Sequence, residues 1–203
     1  MRYYVRAEIE RFLRAVDVAL EGLATVVVIG GGAAALKYGI DDPTRDIDTF
    51  NALGADLRRA IDAARKATGL AMPFEQSGVA DGPYNFEDRL LRAMPRLRRL
   101  TVLVPERHDL ALMKAVRGDQ ADFAKLQAIH ERKPFDLSAL LQRYEAEMGH
   151  VVIDPRRLKG NFPGAGREPV PGGGDSCGES ARSTRPAEPA RCLPGVAGQA
   201  QQR

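Results

Sequence analysis

The chain has 203 residues, of which 44% are hydrophobic and 28% charged, with only two cysteines. That length fits one domain, or one domain with a tail, of ordinary globular composition. The longest apolar run, Val26 to Leu36, holds three glycines and is too short to span a bilayer, and no apolar leader is visible at the N-terminus. These features predict a cytoplasmic protein without membrane association. Cys177 and Cys192 both lie near the C-terminal end, where they cannot staple a core.

A pI near 9.0 invites an anionic partner until the charge is located. Eight of the 30 basic and four of the 27 acidic residues fall in 156–203, leaving 22 against 23 in 1–155. The basicity belongs to the tail, and the remainder of the chain is close to neutral.

In chain order, Ile9, Phe12, Leu13, Val16 and Leu20 form one helical stripe over 7–20, closed by Gly22. The β-branched run Thr25 to Ile29 reads as a buried strand. Ala33 to Tyr38 is a short helix ended by Gly39, and Arg45 to Phe50 suits a second strand after the turn Asp41-Asp42-Pro43. Leu57, Ala60, Ile61 and Ala64 mark another helix ending at Gly69. Residues 71–85, with Pro73, Gly78, Gly82 and Pro83, read as a loop. Phe86 to Met94 reads as helical and Leu100 to Val104 as a third strand. Three helices are expected over 106–117, 120–131 and 136–148, the last capped by Asp136 or Ser138. From about Pro155 the composition turns to Pro, Gly, Ser and Arg, too poor in large apolar residues to offset ordering entropy. The expectation is an α+β fold, a small mixed sheet packed on helices. Its core spans 1–105, a helical part of the same domain spans 106–154, and a disordered tail spans 155–203.

Gly30-Gly31-Gly32-Ala33-Ala34-Ala35 satisfies a dinucleotide-binding pattern, but its crossover helix is too short and no second half follows. A reading that uses more of the chain starts from the same strand. Its glycines open a short helix, where free backbone N–H groups can face a phosphate. The next strand carries Asp46 and Asp48 on one face with Ile47 turned inward. Two hard carboxylates converging in this way suit Mg²⁺, or Mn²⁺, holding a nucleoside triphosphate.

Gly31-Gly32-x-Ala34, then Gly39, then Thr44-x-Asp46-Ile47-Asp48 resembles the signature of nucleotidyltransferases of the DNA polymerase β type. More narrowly, the chain resembles the AbiEii-type toxins of type IV toxin–antitoxin systems, including the mycobacterial MenT nucleotidyltransferases. A second stretch agrees: Val104 through Asp109-Leu110 to Lys114, then Arg117 and Asp122-Phe123, is similar to that family's later helix. Together the matches cover residues 25 to about 130. The resemblance implies a nucleotidyltransferase fold, Asp46 and Asp48 as metal ligands, Lys114 on the phosphates and Asp122 supporting the site. Gly31, Gly32, Thr44 and Arg117 join Lys114 in the expected nucleotide-binding set. It also implies a pyrimidine NTP as donor, a tRNA 3′ end as acceptor, and a cognate antitoxin protein as partner. The chain departs from the pattern in two places. No acid lies in Arg98 to Val104, leaving Glu87, Asp88 or Asp122 as third carboxylate. Gly31-Gly32 also replaces the family's glycine–serine, which removes a hydroxyl.

The stretch Arg89 to Arg99 holds five arginines and no acid. Arg92, Arg96, Arg98 and Arg99 are candidate contacts to an RNA backbone, with a solvated face as the alternative. A phosphate on Thr44 would place negative charge beside the metal ligands and oppose activity. Two further readings fit the same residues: nucleotidylation of a protein or small molecule, and a nucleotide-binding module without turnover.

Overall fold

The computed structural model describes residues 2–77, 81–118 and 120–151. Helix α1 (Arg6–Ala19) leads into β1 (Ala24–Val27), α2 (Gly30–Tyr38), β2 (Ile47–Thr49) and α3 (Ala55–Thr68). Strand β3 (Phe74–Gln76), a 3-10 turn (Phe86–Arg89), β4 (Leu91–Ala93) and β5 (Leu100–Val104) follow. The chain then turns helical through α4 (Arg107–Arg117), α5 (Gln120–Arg132) and α6 (Leu137–Glu147). No helix among the described residues is long and apolar enough to cross a membrane.

The α+β expectation holds, in the form of two small sheets that meet edge to edge. Strand β5 lies between β1, which runs parallel to it, and β4, which runs antiparallel. Strands β2 and β3 form a separate parallel pair. An antiparallel bridge between Val28 and Thr49 joins the two, with Ile29 N–H donating to Asp48 O at 3.0 Å and Phe50 N–H to Val27 O at 2.9 Å. The end of β1, where the glycines begin, is thereby fixed against the strand that carries Asp48.

The core forms where the periodicity places it. Ile9, Phe12, Leu13 and Val16 of α1 are fully buried and pack on Leu57, Ala60, Ile61 and Ala64 of α3. Val26, Val28, Val102 and Val104 fill the sheet face, and Leu110, Leu112, Leu126 and Ile129 extend the same cluster into the later helices. Residues 152–203, which include the expected tail, lie outside the described residues.

Two expectations are corrected. Phe86 to Met94 is not a helix: it is a short 3-10 turn followed by β4, because Leu91, Arg92 and Ala93 pair with Val104, Leu103 and Val102. Met94 then takes a left-handed backbone (φ 52) that ends the strand. The loop over 71–85 contains β3, whose Phe74 is buried beneath α1 with the rings of Phe12 and Phe74 edge to face at 6.4 Å. Tertiary pairing outweighs local pattern in both segments. The three later helices fall where they were expected, and Asp136 caps α6 by accepting from the N–H groups of Ser138 and Ala139.

Buried polar groups tie the later half together. Asp109, fully buried on α4, receives two hydrogen bonds from Arg89 at 2.9 Å each and one from Arg143 at 3.0 Å. Arg89 also grips Glu147 of α6. Asp17 of α1 accepts from the backbone N–H groups of Arg98, Arg99 and Leu100, anchoring the entry to β5.

Candidate active site

The site begins at the end of β1. Gly30 opens α2 with φ +64, a conformation that costs glycine nothing, and a Cβ there would stand 3.5 Å from Asp48 Oδ2. A Cβ on Gly31 would stand 2.6 Å from Thr44 Oγ1 and 3.3 Å from Lys125 Nζ, so the close approach of these groups requires glycine. Gly32 differs: it is buried against Val28 and lines neither cavity of the site.

Asp46 immediately precedes β2, and Asp48 lies within it. Both side chains are partly exposed, while Ile47 between them is fully buried in the core. That alternation is the period-two geometry expected from the sequence. Burial, then the neighbouring Asp46 and Glu75 carboxylates, push the Asp48 carboxyl above the ordinary range, against the pull of Arg117 and Lys114.

Lys114 projects from α4 with 5% exposure and forms an ion pair with Asp122 Oδ1 of α5. Burial pulls its ammonium below the usual lysine range, although Asp122 works in the opposite direction. The second oxygen of Asp122 is buried and accepts no hydrogen bond; Arg117 Nε lies 3.7 Å from it. Thr44 is buried, its backbone paired with that of Tyr4 and its hydroxyl turned to Gly31. The position considered for phosphate addition is thus shielded from solvent.

Asp46, Asp48, Lys114, Arg117 and Asp122 line two adjoining cavities. One, of about 650 Å³, continues over Gly30, Glu75, Asp81 and the apolar wall of Leu110, Met113 and Val116. The other, of about 470 Å³, continues over Gly31, Thr44, Arg45 and Lys125. The structure therefore brings the two sequence motifs into one cleft, with Gly32 the member left outside.

Two residues of this cleft escape a reading of the sequence. Glu75 of β3 is in register with Asp48 across the parallel pair, so both present their side chains to the same face. Glu75 lines the larger cavity and Asp122 lines both, whereas Glu87 and Asp88 sit exposed on the 3-10 turn and line neither. The only sequence signal for Glu75 is the alternation Phe74-Glu75-Gln76, which three residues are too few to establish. Lys125, one helical turn after Asp122, reaches over Gly31 and lies 3.3 Å from Asp42. Outside the cleft, Arg89 is committed to Asp109 and Glu147, while Arg92, Arg96, Arg98 and Arg99 are exposed.

Asp46 and Asp48 offer oxygen donors of the kind a hard divalent cation takes, with Glu75 on the neighbouring strand. Mg²⁺ is commonly held by one or two carboxylates together with substrate phosphates. The mutual repulsion felt at Asp48 is what such a cation relieves. Among the described residues no three His, Cys, Asp or Glu side chains form a ready-made metal cage.

A glycine-opened helix beside paired strand carboxylates, on a small mixed sheet, defines the nucleotidyltransferase class. The match to known families is specific: residues 6–160 fit the family described as nucleotidyltransferase of unknown function (DUF6036), and the chain belongs to it. No match was found among curated proteins or among solved structures.

Proposed function

We propose that this chain transfers a nucleoside monophosphate from an NTP to a hydroxyl of an RNA acceptor, releasing pyrophosphate. The observation that carries this reading is the convergence of Asp46 and Asp48, with Glu75 in register, on the glycine-opened start of α2. Asp46 and Asp48 would hold Mg²⁺ or Mn²⁺, which when bound neutralises charge on the triphosphate and its leaving group. Gly31, Thr44, Lys114 and Arg117 would steady the phosphates, joined by Lys125. The acceptor oxygen attacks the α-phosphorus as the bond to the β-phosphate oxygen breaks. Pyrophosphate departs with that electron pair, and the acceptor's proton passes to a carboxylate of the cluster. The buried Lys114–Asp122 pair keeps the ammonium directed at the cleft.

The likeness to AbiEii-type toxins supports a finer version. The acceptor is a tRNA 3′ end, the donor a pyrimidine NTP, and the result a block of translation relieved by a cognate antitoxin. A second reading, transfer to a small molecule, is favoured by Glu75 and Asp81 in the larger cavity, which suit an acceptor bearing positive charge.

The test is incubation of the full chain with each NTP, Mg²⁺ and total tRNA, followed by gel analysis of RNA 3′ ends. One NTP should extend the RNA, and Asp46→Ala should abolish extension while leaving the melting temperature within a few degrees. Failure with all four NTPs would remove the RNA reading. A cellular effect unchanged by Asp46→Ala would point instead to a binding module without turnover.

A further inference from the structure

The arginine-rich segment is not an isolated run in the folded chain. Arg92 and Arg96 lie along a groove of about 610 Å³ that also takes in Arg6 and Arg14 of α1 and Lys37 of α2. Five basic side chains thus meet from three parts of the chain, and among the described residues the one carboxylate lining the groove is Glu10. Glu10 is fully engaged, one oxygen with Arg6 and the other with Arg14, each at 2.8 Å. Lys37 Nζ donates to the backbone carbonyl of Arg92 at 2.9 Å. No ion pair engages Arg92 or Arg96 among the described residues.

The groove is firm. Leu97 N–H closes a turn onto Met94 O at 3.2 Å, Met94 holds its left-handed backbone, and Asp17 pins the N–H groups of Arg98, Arg99 and Leu100. Its floor, Leu36, Ala93 and Leu97, is buried. The rim is dominated by cations: among the described residues it holds no aromatic side chain, and its exposed apolar surface is limited to Pro95 and part of Met94, short of the aromatic anchors that dominate protein interfaces. The same absence of aromatics removes base stacking. What remains is a forked-cation surface matched to phosphodiester oxygens.

We infer that this groove binds the sugar–phosphate backbone of a folded RNA, without reading its sequence, at a surface separate in its residues from the catalytic cleft. The inference rests on the RNA acceptor proposed above and assigns the body of that acceptor a place on the protein.

The test uses fluorescence anisotropy of the full chain with a labelled RNA hairpin, without NTP, across a salt series. Each cation neutralising a phosphate contributes about 0.7 to 0.9 to the slope of log K against log salt. Removing Arg92 and Arg96 together by R92A/R96A should flatten the slope by about 1.5 and weaken binding at least tenfold at physiological salt. The control pair R59A/K66A on α3 removes the same charge from an exposed face elsewhere and should leave both quantities within twofold of wild type. Equal losses in the two variants, or no loss in R92A/R96A, would overturn the groove assignment. So would tighter binding of polyglutamate than of the hairpin by the wild-type chain. Because binding is read without NTP, a chain that binds through the groove but transfers nothing would sink the proposed function alone. Conversely, a chain that extends RNA yet binds it without Arg92 and Arg96 would sink only the groove.

Discussion

Asp48 occupies a position that a structural role alone does not favour. Its carboxylate is half-buried, faces Asp46, and stands in register with Glu75 on the neighbouring strand. Like charges gathered this way oppose folding and favour a bound cation. Asp48→Asn is therefore expected to lower nucleotidyl transfer by about a hundredfold or more, as loss of a transition-state electrostatic group does. The same substitution should leave the melting temperature unchanged or raise it in metal-free buffer. A drop of many degrees would show that Asp48 holds the fold together instead. The pair Asp46 and Asp48 was legible because strand alternation is written within three consecutive residues. Glu75 was not, since its relation to Asp48 is a pairing across 27 positions that no local spacing records. Lys125 was hidden for a related reason: one lysine on an amphipathic helix reads as solvated until Gly31 is seen beneath it.

At the level of elements, helix α4 must be held so that Lys114 faces the cleft, and Asp109 performs that task from the helix's other side. It is fully buried and takes Arg89 and Arg143 together, while Arg89 carries the link onward to Glu147 of α6. Asp109→Ala would leave two guanidinium groups facing a vacated site. Breaking a buried pair in this way costs about 3 kcal/mol or more. The urea midpoint should fall accordingly, with transfer activity reduced at temperatures where the variant remains folded. A loss below about 1 kcal/mol would make the network ornamental to stability. Helices α1, α3 and α4 to α6 were readable from apolar spacing and from glycine and aspartate at their ends. Strand β4 was not, because Phe86, Leu90, Leu91 and Met94 mimic a helical stripe and only β5 reveals the extended pairing. The five arginines looked uncompensated for the same reason: the acids that engage Arg89 lie 20 and 58 residues away.

Across the whole molecule, stability should depend on acid more than on base. Burial alone would push the Glu106 carboxyl up, but hydrogen bonds from the His108 ring and backbone N–H and from Arg143 outweigh it and hold it at about 2. A carboxyl that titrates near 2 when folded and in the ordinary range near 4.5 when unfolded stabilises the folded state above that range. The contribution is about 3 kcal/mol at neutral pH, and it is lost progressively as pH falls from about 4.5 towards 2. Glu147 and Asp17, also held low, act in the same direction; at Asp17, burial is outweighed by the three backbone donors. Thermal melts should therefore be flat from pH 7 to about 5 and fall steeply below. Glu106→Gln should melt lower at neutral pH and show a shallower acid slope. Identical slopes in the two proteins would remove Glu106 from the account.

The bridge between Tyr4 and Thr44 gives the molecule a mechanical property. Residues ahead of α1 form a single antiparallel rung against the segment that leads to Asp46, and Arg45 donates twice to the Tyr3 hydroxyl beside it. The segment ahead of α1 is thus a handle on the candidate site. Traction applied there reaches Thr44 and the Gly31 contact through Tyr4, whose ring is buried in the hydrophobic core, so the same pull loads the core and the cleft together.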